Sequence, residues 1–203
     1  MTSTSSPAVP APAPGGAPSQ RVTTWRIDPA HSHVEFAVKH LMVATVKGRF
    51  ADVEGTILVN EADPAGSHVD VNIAAASVDT REPQRDAHLR SPDFFDADRY
   101  PYLTFRSSRV VPKGNGEFTV YGDLTIRGVT RPVALEGEYL GTSQSPFGFT
   151  VAGFSARTRI NRKDFGLTWN APLETGGVLV GDEVRVSLEV EAVREEAPSG
   201  AAS

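Results

Sequence analysis

Three histidines and one aspartate have the residue types and spacing that a metal site would use. His31 and His33 stand two residues apart, so both would face the same side of a β-strand. Such a pair could chelate zinc or nickel, with His88 or Asp86 as a further ligand. A pair without a defined third ligand is more often structural, and His31 falls in a predicted turn where it could cap backbone groups. The sequence therefore predicts no metal and no cofactor. A small metal-assisted hydrolase or isomerase using His31, His33 and His88 is the alternative.

Cationic side chains gather in one short stretch of the chain. They are candidates for binding the anionic or carbonyl head group of a ligand, because a guanidinium forms strong hydrogen bonds with phosphate. The head-group candidates are Arg81, Arg85, His88 and Arg90, together with His31. The competing interpretation is a solvated helix face paired with nearby carboxylates. A second charged run, residues 162–164, is most often a solvated loop in such a place, and the alternative is that it lies near an opening.

The sequence lacks the residues that several kinds of catalytic or binding site require. The chain has no cysteine, which excludes a disulfide scaffold, a thiolate metal site and cysteine catalysis. No serine stands in a glycine-flanked elbow, and no glycine-rich loop could cradle a phosphate. The net charge of -5 gives no footprint for nucleic acid. These residue types therefore predict no catalytic constellation, and we do not expect an enzyme.

The two ends of the chain differ from its middle. The first twenty residues carry no charge and five prolines, which leaves no apolar run of the roughly 7–15 residues that a secretory signal needs. We therefore predict a disordered Pro/Ala/Ser-rich arm over 1–22, one domain over 23–195, a disordered tail over 196–203 and a cytoplasmic location. No stretch approaches the ~20 apolar residues of a membrane helix, so the chain is not expected to span a bilayer.

Period-two alternation of apolar and polar residues dominates the middle and predicts an all-β domain. Alternating runs occur near residues 33–39, 69–73, 103–111, 118–126, 133–139, 150–160 and 184–190. The long run from Val46 to Val59 changes phase, which predicts a β-bulge around Ala51-Asp52. Asn115-Gly116 predicts a tight hairpin. Eight antiparallel strands with short connections and a bulge favour a closed barrel over a sandwich.

A helical insertion interrupts this pattern after the third main strand. Residues 84–90 tolerate a helix, and Ser91-Pro92 should end it because the residue before proline avoids the helical region. Phe94 and Phe95 then supply an apolar plug. A charged helix and an aromatic pair in an all-β chain predict a lid or a mouth.

Motifs from one end of the domain to the other resemble the YceI-like family. They lie at residues 28–40, 77–80, 85–89, 93–96, 100–101, 122–130 and 160–166, and the resemblance spans about Thr24 to Arg194. It implies an elongated, lipocalin-like eight-stranded antiparallel barrel, usually dimeric. It also implies a long apolar pore that holds a polyisoprenoid or another long-chain amphiphile.

From this resemblance we expect the chain to sequester or carry a polyisoprenoid, an isoprenoid quinone or a fatty-acid-like ligand, as a homodimer. Transport, storage and a stress response are the roles it suggests. The predicted pore-lining residues are Phe36, Val38, Phe50, Ile57, Val71, Ile73, Leu103, Phe105, Val120, Leu124, Leu135, Phe154, Phe165 and Trp169. The same side chains would also make an ordinary filled core. In that case the barrel would be only a scaffold for a stress or interaction protein.

Overall fold

The computed structural model describes residues 22–174 and 176–196. The predicted arm and tail therefore lie almost wholly outside the described residues. Val22, which the sequence assigned to the arm, is the first residue of the first strand. No helix in the described part is long and apolar enough to cross a membrane.

Eleven strands and one α-helix make up the described chain. The strands are β1 (Val22–Ile27), β2 (His33–His40), β3 (Ala44–Phe50), β4 (Val53–Asn60), β5 (His68–Ala74), β6 (Val78–Asp79), β7 (Tyr102–Gly114), β8 (Glu117–Ile126), β9 (Val129–Gln144), β10 (Thr150–Asn161) and β11 (Val180–Arg194). The helix is α1 (Pro83–Arg90), and 3-10 turns occur at Pro64–Gly66, Ala75–Ser77 and Arg162–Phe165.

Antiparallel pairing closes these strands into a barrel. The order β1-β4-β5-β7-β8-β9-β10-β11 returns to β1, because Ile27 of β1 pairs with Ala192 of β11. Strands β2 and β3 continue β1 and β4 lengthwise, so β11 pairs first with β2 and then with β1. This confirms the predicted eight-stranded antiparallel barrel with a short helical insertion.

The predicted β-bulge around Ala51-Asp52 is wrong, although the phase change that suggested it is real. Strand β3 ends at Phe50, where it pairs with β2 and β6. Strand β4 begins at Val53 and pairs with β1 and β5 instead. Ala51 and Asp52, which lie between the two strands, therefore absorb the phase change where the chain exchanges one set of neighbouring strands for another.

The helical insertion lies where predicted. Helix α1 begins at Pro83, and the Glu82 side chain caps it by accepting a hydrogen bond from the Gln84 amide. It ends at Arg90, and the hydroxyl of the capping residue Ser91 donates to the His88 carbonyl oxygen. The turn that follows buries Phe94, which is 7% exposed. The helix is thereby capped at both ends, and the turn after it packs into the core.

Asp86 ties the helix to the strand before it, and replacing it with alanine should be costly. Its Oδ1 accepts hydrogen bonds from the amide and the hydroxyl of Thr80, at 2.9 and 2.6 Å, and Asp86 is 7% exposed. We expect Asp86→Ala to lower the free energy of unfolding by about 1.5–3 kcal/mol, measured by urea denaturation, because both bonds are charge-assisted and buried. Asp93→Ala, which removes an exposed carboxylate, should cost less than about 1 kcal/mol. Equal losses in the two variants would contradict this assignment.

Candidate functional site

One wall of the barrel is closely packed. Inward side chains of β4, β5 and β7 are almost fully buried, for example Val53 at 2%, Val71 at 8% and Leu103 at 5% exposure. They face one another through paired strands, Val53 opposite Ile73 and Ile73 opposite Leu103. This wall forms the core that holds the barrel together.

The opposite wall is different. Inward positions of β10 and β11 face each other in pairs, Phe154 opposite Val190 and Thr158 opposite Val186, yet all four are only half-buried. A filled interior would exclude solvent from inward apolar side chains, as it does on the packed wall. The inward pair Ala152 and Ala192 at one end of these strands is buried, at 1% and 0% exposure. The interior beside the rest of this wall, residues 154–160 of β10 and 184–190 of β11, is therefore not filled, and we call this space the channel.

Two aromatic rings lie along the wall rather than across the interior. A Cβ on Gly48 would stand 2.4 Å from Cζ of Phe36, which lies directly opposite it, so the ring occupies the space of the missing side chain. Phe118 covers Gly137 in the same way, at 2.3 Å from its Cε2. Each of these glycines therefore lets the ring opposite it lie flat against the barrel wall.

The predicted lining residues divide between the two environments. Eight are buried in the packed core: Phe50, Ile57, Val71, Ile73, Leu103, Phe105, Val120 and Phe165. Six are half-buried: Phe36, Val38, Leu124, Leu135, Phe154 and Trp169. The sequence prediction missed inward, half-buried residues on the unfilled wall, namely Val133, Ile160, Val186, Leu188 and Val190. Their alternation was visible in the sequence and could have placed them on this face.

Two hollows lie on the outside of the barrel. One, of about 570 Å³, is bordered by the outward side chains of Arg109, Tyr121 and Asp123. The other, of about 300 Å³, is bordered by Lys47, Asp79 and several neighbours that include the predicted head-group residue Arg81. None of the predicted pore-lining residues borders either hollow.

Two predicted head-group arginines hold the insertion together. Arg85 donates to the carbonyl oxygen of Thr80 at 2.9 Å and to its hydroxyl at 2.7 Å. Arg90 donates to the carbonyl oxygens of Ala76 and Val78, at 2.8 and 2.9 Å. Both guanidinium groups thus satisfy backbone acceptors between β5 and α1.

His88, the third predicted head-group residue on the insertion, stands in an aromatic cluster at this end of the barrel. Its Nε2 lies 2.8 Å from Oδ2 of Asp93. The imidazole contacts Trp169 edge-on at 4.6 Å and Phe94 edge-on at 5.1 Å between ring centroids. The cluster joins the insertion to the segment between β10 and β11, so this end of the barrel is covered by both.

His31, the remaining head-group candidate, lies on the outer face of the barrel wall. Its Nδ1 is 2.8 Å from Oδ2 of Asp28 and 3.8 Å from Oε1 of Glu191, which alternates with the inward Val190 and Ala192. These three residues are the one set of possible metal ligands within 4.8 Å of one another among the described residues. The alternative set of His31, His33 and His88 is therefore not assembled.

The pair of His31 and Asp28 should make the stability of the fold depend on pH. The hydrogen bond that the His31 imidazole donates to the Asp28 carboxylate raises the pKa of His31 above its ordinary 6.5, and the same bond lowers the pKa of Asp28. A histidine pKa raised by folding adds stability that is complete below 6.5 and is lost as the pH rises through the folded value. We expect wild type to exceed His31→Gln in unfolding free energy at pH 5.5, with the gap closing by pH 8 in urea titrations. His33→Gln is the control, and a gap independent of pH would refute the assignment.

Arg162 is the site residue that sequence reasoning missed, since its charged run was expected to be solvated. It is 4% exposed and donates to the carbonyl oxygens of Gly181, Leu167 and Trp169, at 2.9, 2.6 and 2.9 Å. Burial lowers the pKa of its guanidinium, while Asp182 opposes that change. Arg162 therefore fixes the segment that carries Trp169 across the helix end of the barrel.

Known proteins share the sequence and the fold of this chain. The YceI-like domain model matches residues 25–192. A UPF0312 protein of Vibrio cholerae is 44% identical over 138 residues, which cover 68% of this chain and 73% of that protein. The crystal structure of the Campylobacter jejuni YCEI protein superposes with a TM-score of 0.66 at 34% identity, covering 78% of this chain and 90% of that one.

A more distant structure shares the fold. It is a polyisoprenoid binding domain from Saccharophagus degradans, with a TM-score of 0.57 at 17% identity, covering 89% of this chain and all of that one. The family model and the Vibrio relative span most of the barrel. On these grounds the chain belongs to the YceI-like domain family.

Proposed function

We propose that this protein binds a long-chain amphiphile in the channel and sequesters or carries it. The ligand is of polyisoprenoid, isoprenoid quinone or fatty-acid type. The observation that supports this most is the unfilled wall, where inward apolar side chains of β9, β10 and β11 remain half-buried. Half-buried apolar side chains inside a closed barrel are what a hydrocarbon ligand would cover.

Hydrocarbon burial alone gives enough driving force. Each methylene removed from water contributes about 0.8 kcal/mol, so a 15-carbon chain gains roughly 12 kcal/mol before the cost of ordering it is subtracted. Such a tail needs no hydrogen bonds inside the barrel. The Saccharophagus domain, described as polyisoprenoid binding, supports the ligand class through its shared fold.

Native mass spectrometry of protein purified from its own host tests this proposal. We expect the intact protein to carry a mass increment that organic solvent releases and that fragments as an isoprenoid or an acyl chain. A preparation from a host lacking the protein, taken through the same steps, is the control. Repeated preparations with no amphiphile, together with no binding of added prenyl alcohols, would refute the proposal.

The metal-assisted enzyme makes a different prediction. It requires stoichiometric metal held by nitrogen ligands in tag-free protein, which elemental analysis measures. His31 lies on the outer wall and His88 at the helix end of the barrel, so the two histidines do not form one site. This separation supports the binding function over the metal-assisted enzyme. A stoichiometric metal lost in His88→Ala would favour the enzyme.

The proposal includes a homodimer. The β9–β10 hairpin exposes Leu140 at 60% and Phe147 at 86%, apolar surface that a second copy would cover. Light scattering should give the dimer mass, with the monomer mass for Leu140→Ser combined with Phe147→Ser. A monomeric wild type would contradict this part. The cytoplasmic location remains a prediction that fractionation of the host checks.

A further inference from the structure

The pairing between β9 and β10 does not extend along the full length of the two strands. Strands β9 and β10 are hydrogen bonded from Gln144 and Thr150 up to Glu136 and Arg157. Beyond that point, within the described residues, 129–135 of β9 pair only with β8 and 158–161 of β10 pair only with β11. We call this unpaired stretch the seam. At about 3.3 Å per residue its seven β9 residues extend over roughly 20 Å.

The seam adjoins the channel at the helix end of the barrel. Val133 and Leu135 of β9 and Ile160 of β10 face inward beside it, and all three are half-buried. The turn at Arg162–Phe165 crosses its upper end, where Nη1 of Arg127 reaches the Gly166 carbonyl oxygen at 3.4 Å. A molecule in the channel would therefore meet the outside at the seam.

Arg131 is placed at the edge of the seam. It pairs with Leu124, whose side chain faces inward, and directly opposed residues on antiparallel strands share a face. Among the described residues of β8, β9 and β10 it is the one charged residue at an inward position, with apolar neighbours such as Leu124 and Val133; Arg194, also at an inward position, lies at the other end of β11. A lone cation on an otherwise apolar inner face is the pattern of a ligand-orienting group.

The Arg131 guanidinium has donors to spare. Its Nη1 donates to the adjacent Thr130 carbonyl oxygen at 3.1 Å, and among the described residues it has no carboxylate partner. Arg159, on the outward face of β10, is in contrast paired with Glu183 at 3.3 Å. Arg131 is exposed, so an anion reaching the seam could accept from it directly.

We propose that Arg131 binds the anionic head group of the amphiphile at the seam, with the tail lying along the inward face of β9 to β11. This rests on the proposed function and adds the charge class of the ligand. A guanidinium forms paired, charge-assisted hydrogen bonds with phosphate or carboxylate, so the head group is a phosphate, a diphosphate or a carboxylate.

The affinities of delipidated protein for geranylgeranyl diphosphate and for geranylgeraniol test this proposal, measured by calorimetry in the same buffer. We expect wild type to bind the diphosphate at least about tenfold more tightly than the alcohol. Arg131→Gln should bring the two affinities within about threefold while leaving the alcohol's affinity unchanged, and Arg131→Lys should restore part of the preference. Arg159→Gln, on the outer face of the same strand pair, should behave as wild type. A palmitate and hexadecanol pair distinguishes carboxylate from diphosphate recognition.

The outcomes separate the two proposals. An Arg131→Gln variant that keeps the wild-type preference overturns the head-group assignment and leaves the binding function intact. Equal affinity of wild type for the charged and the neutral ligand does the same. If neither the diphosphate, the alcohol nor the fatty acid binds, the proposed function fails and the head-group assignment fails with it.

Discussion

Arg162→Ala is expected to lower the free energy of unfolding by about 3–5 kcal/mol, because several buried carbonyl oxygens lose their donor at about 1–3 kcal/mol each. For a domain of this size that corresponds to a fall in Tm of about 8–15 °C. Arg162 is 4% exposed and sits among the carbonyl oxygens of Leu167, Trp169 and Val180. Alanine supplies no donor to any of these acceptors, and each buried acceptor left unpaired carries a desolvation cost.

The identity of the cation should matter as much as its charge. Arg162 donates hydrogen bonds from Nε, Nη1 and Nη2 to carbonyl oxygens of three different residues. The single ammonium group of lysine cannot reach all of these acceptors at once. We therefore expect Arg162→Lys to recover little of the lost stability. Because Trp169 is carried by the same segment, its fluorescence should report the loosening before global unfolding.

Arg159→Ala provides the matched control. Arg159 lies three residues away and is paired with Glu183 at 3.3 Å, but both side chains are more than half exposed. An exposed ion pair contributes less than about 1 kcal/mol. Comparable losses at Arg159 and Arg162 in urea denaturation would show that the buried network does not hold the helix end.

Arg162 also shows where sequence reasoning stops. Its neighbours Lys163 and Asp164 are exposed, and a charged run of this kind usually is. What buries Arg162 is a chain segment that returns to it at Val180 and Gly181, eighteen and nineteen residues later. The residues around Arg162 do not indicate that a later segment will cover it. The alternation that predicts β10 and β11 is a local pattern, and it predicted both strands correctly.

The same distinction explains His31 and the end of β3. The turn that holds His31 was predictable and its partner Asp28 is local, but its approach to Glu191, 160 residues away, is one that no local pattern encodes. The phase change after Phe50 was visible, yet the exchange of neighbouring strands that causes it depends on β1 and β5. Short-range features were therefore predicted, and long-range partners were not.

The channel could not be predicted from the sequence either. Alternation identifies which side chains point inward, and it does so equally well for Val71 on β5 and Val186 on β11. It does not tell how far the opposite wall lies from each of them. Val71 is 8% exposed in the packed core, whereas Val186 is half-buried beside the channel. The difference arises from the spacing of the barrel walls, and the proposed function depends on it.

Introducing tryptophan at each of these two valines should have opposite consequences. In the packed core, Val71→Trp must displace neighbours and should lower the free energy of unfolding by about 1–3 kcal/mol or more. Val186→Trp should cost less than about 1 kcal/mol, because the added ring enters unfilled space beside Phe36 and Thr158. Both values are to be measured by urea denaturation of delipidated protein, since bound ligand would stabilise the folded state by itself.

Ligand binding should respond in the reverse sense. A tryptophan ring at Val186 takes the space of about four methylenes of a bound tail, and at about 0.8 kcal/mol each this removes about 3 kcal/mol of binding free energy. We therefore expect the Kd for a prenyl alcohol to rise about a hundredfold in Val186→Trp, while folded Val71→Trp keeps an affinity near that of wild type. If Val186→Trp were as destabilising as Val71→Trp, the interior would be packed on both walls and could admit no tail. If Val186→Trp folded normally and bound the alcohol like wild type, the ligand would have to lie elsewhere than beside β11.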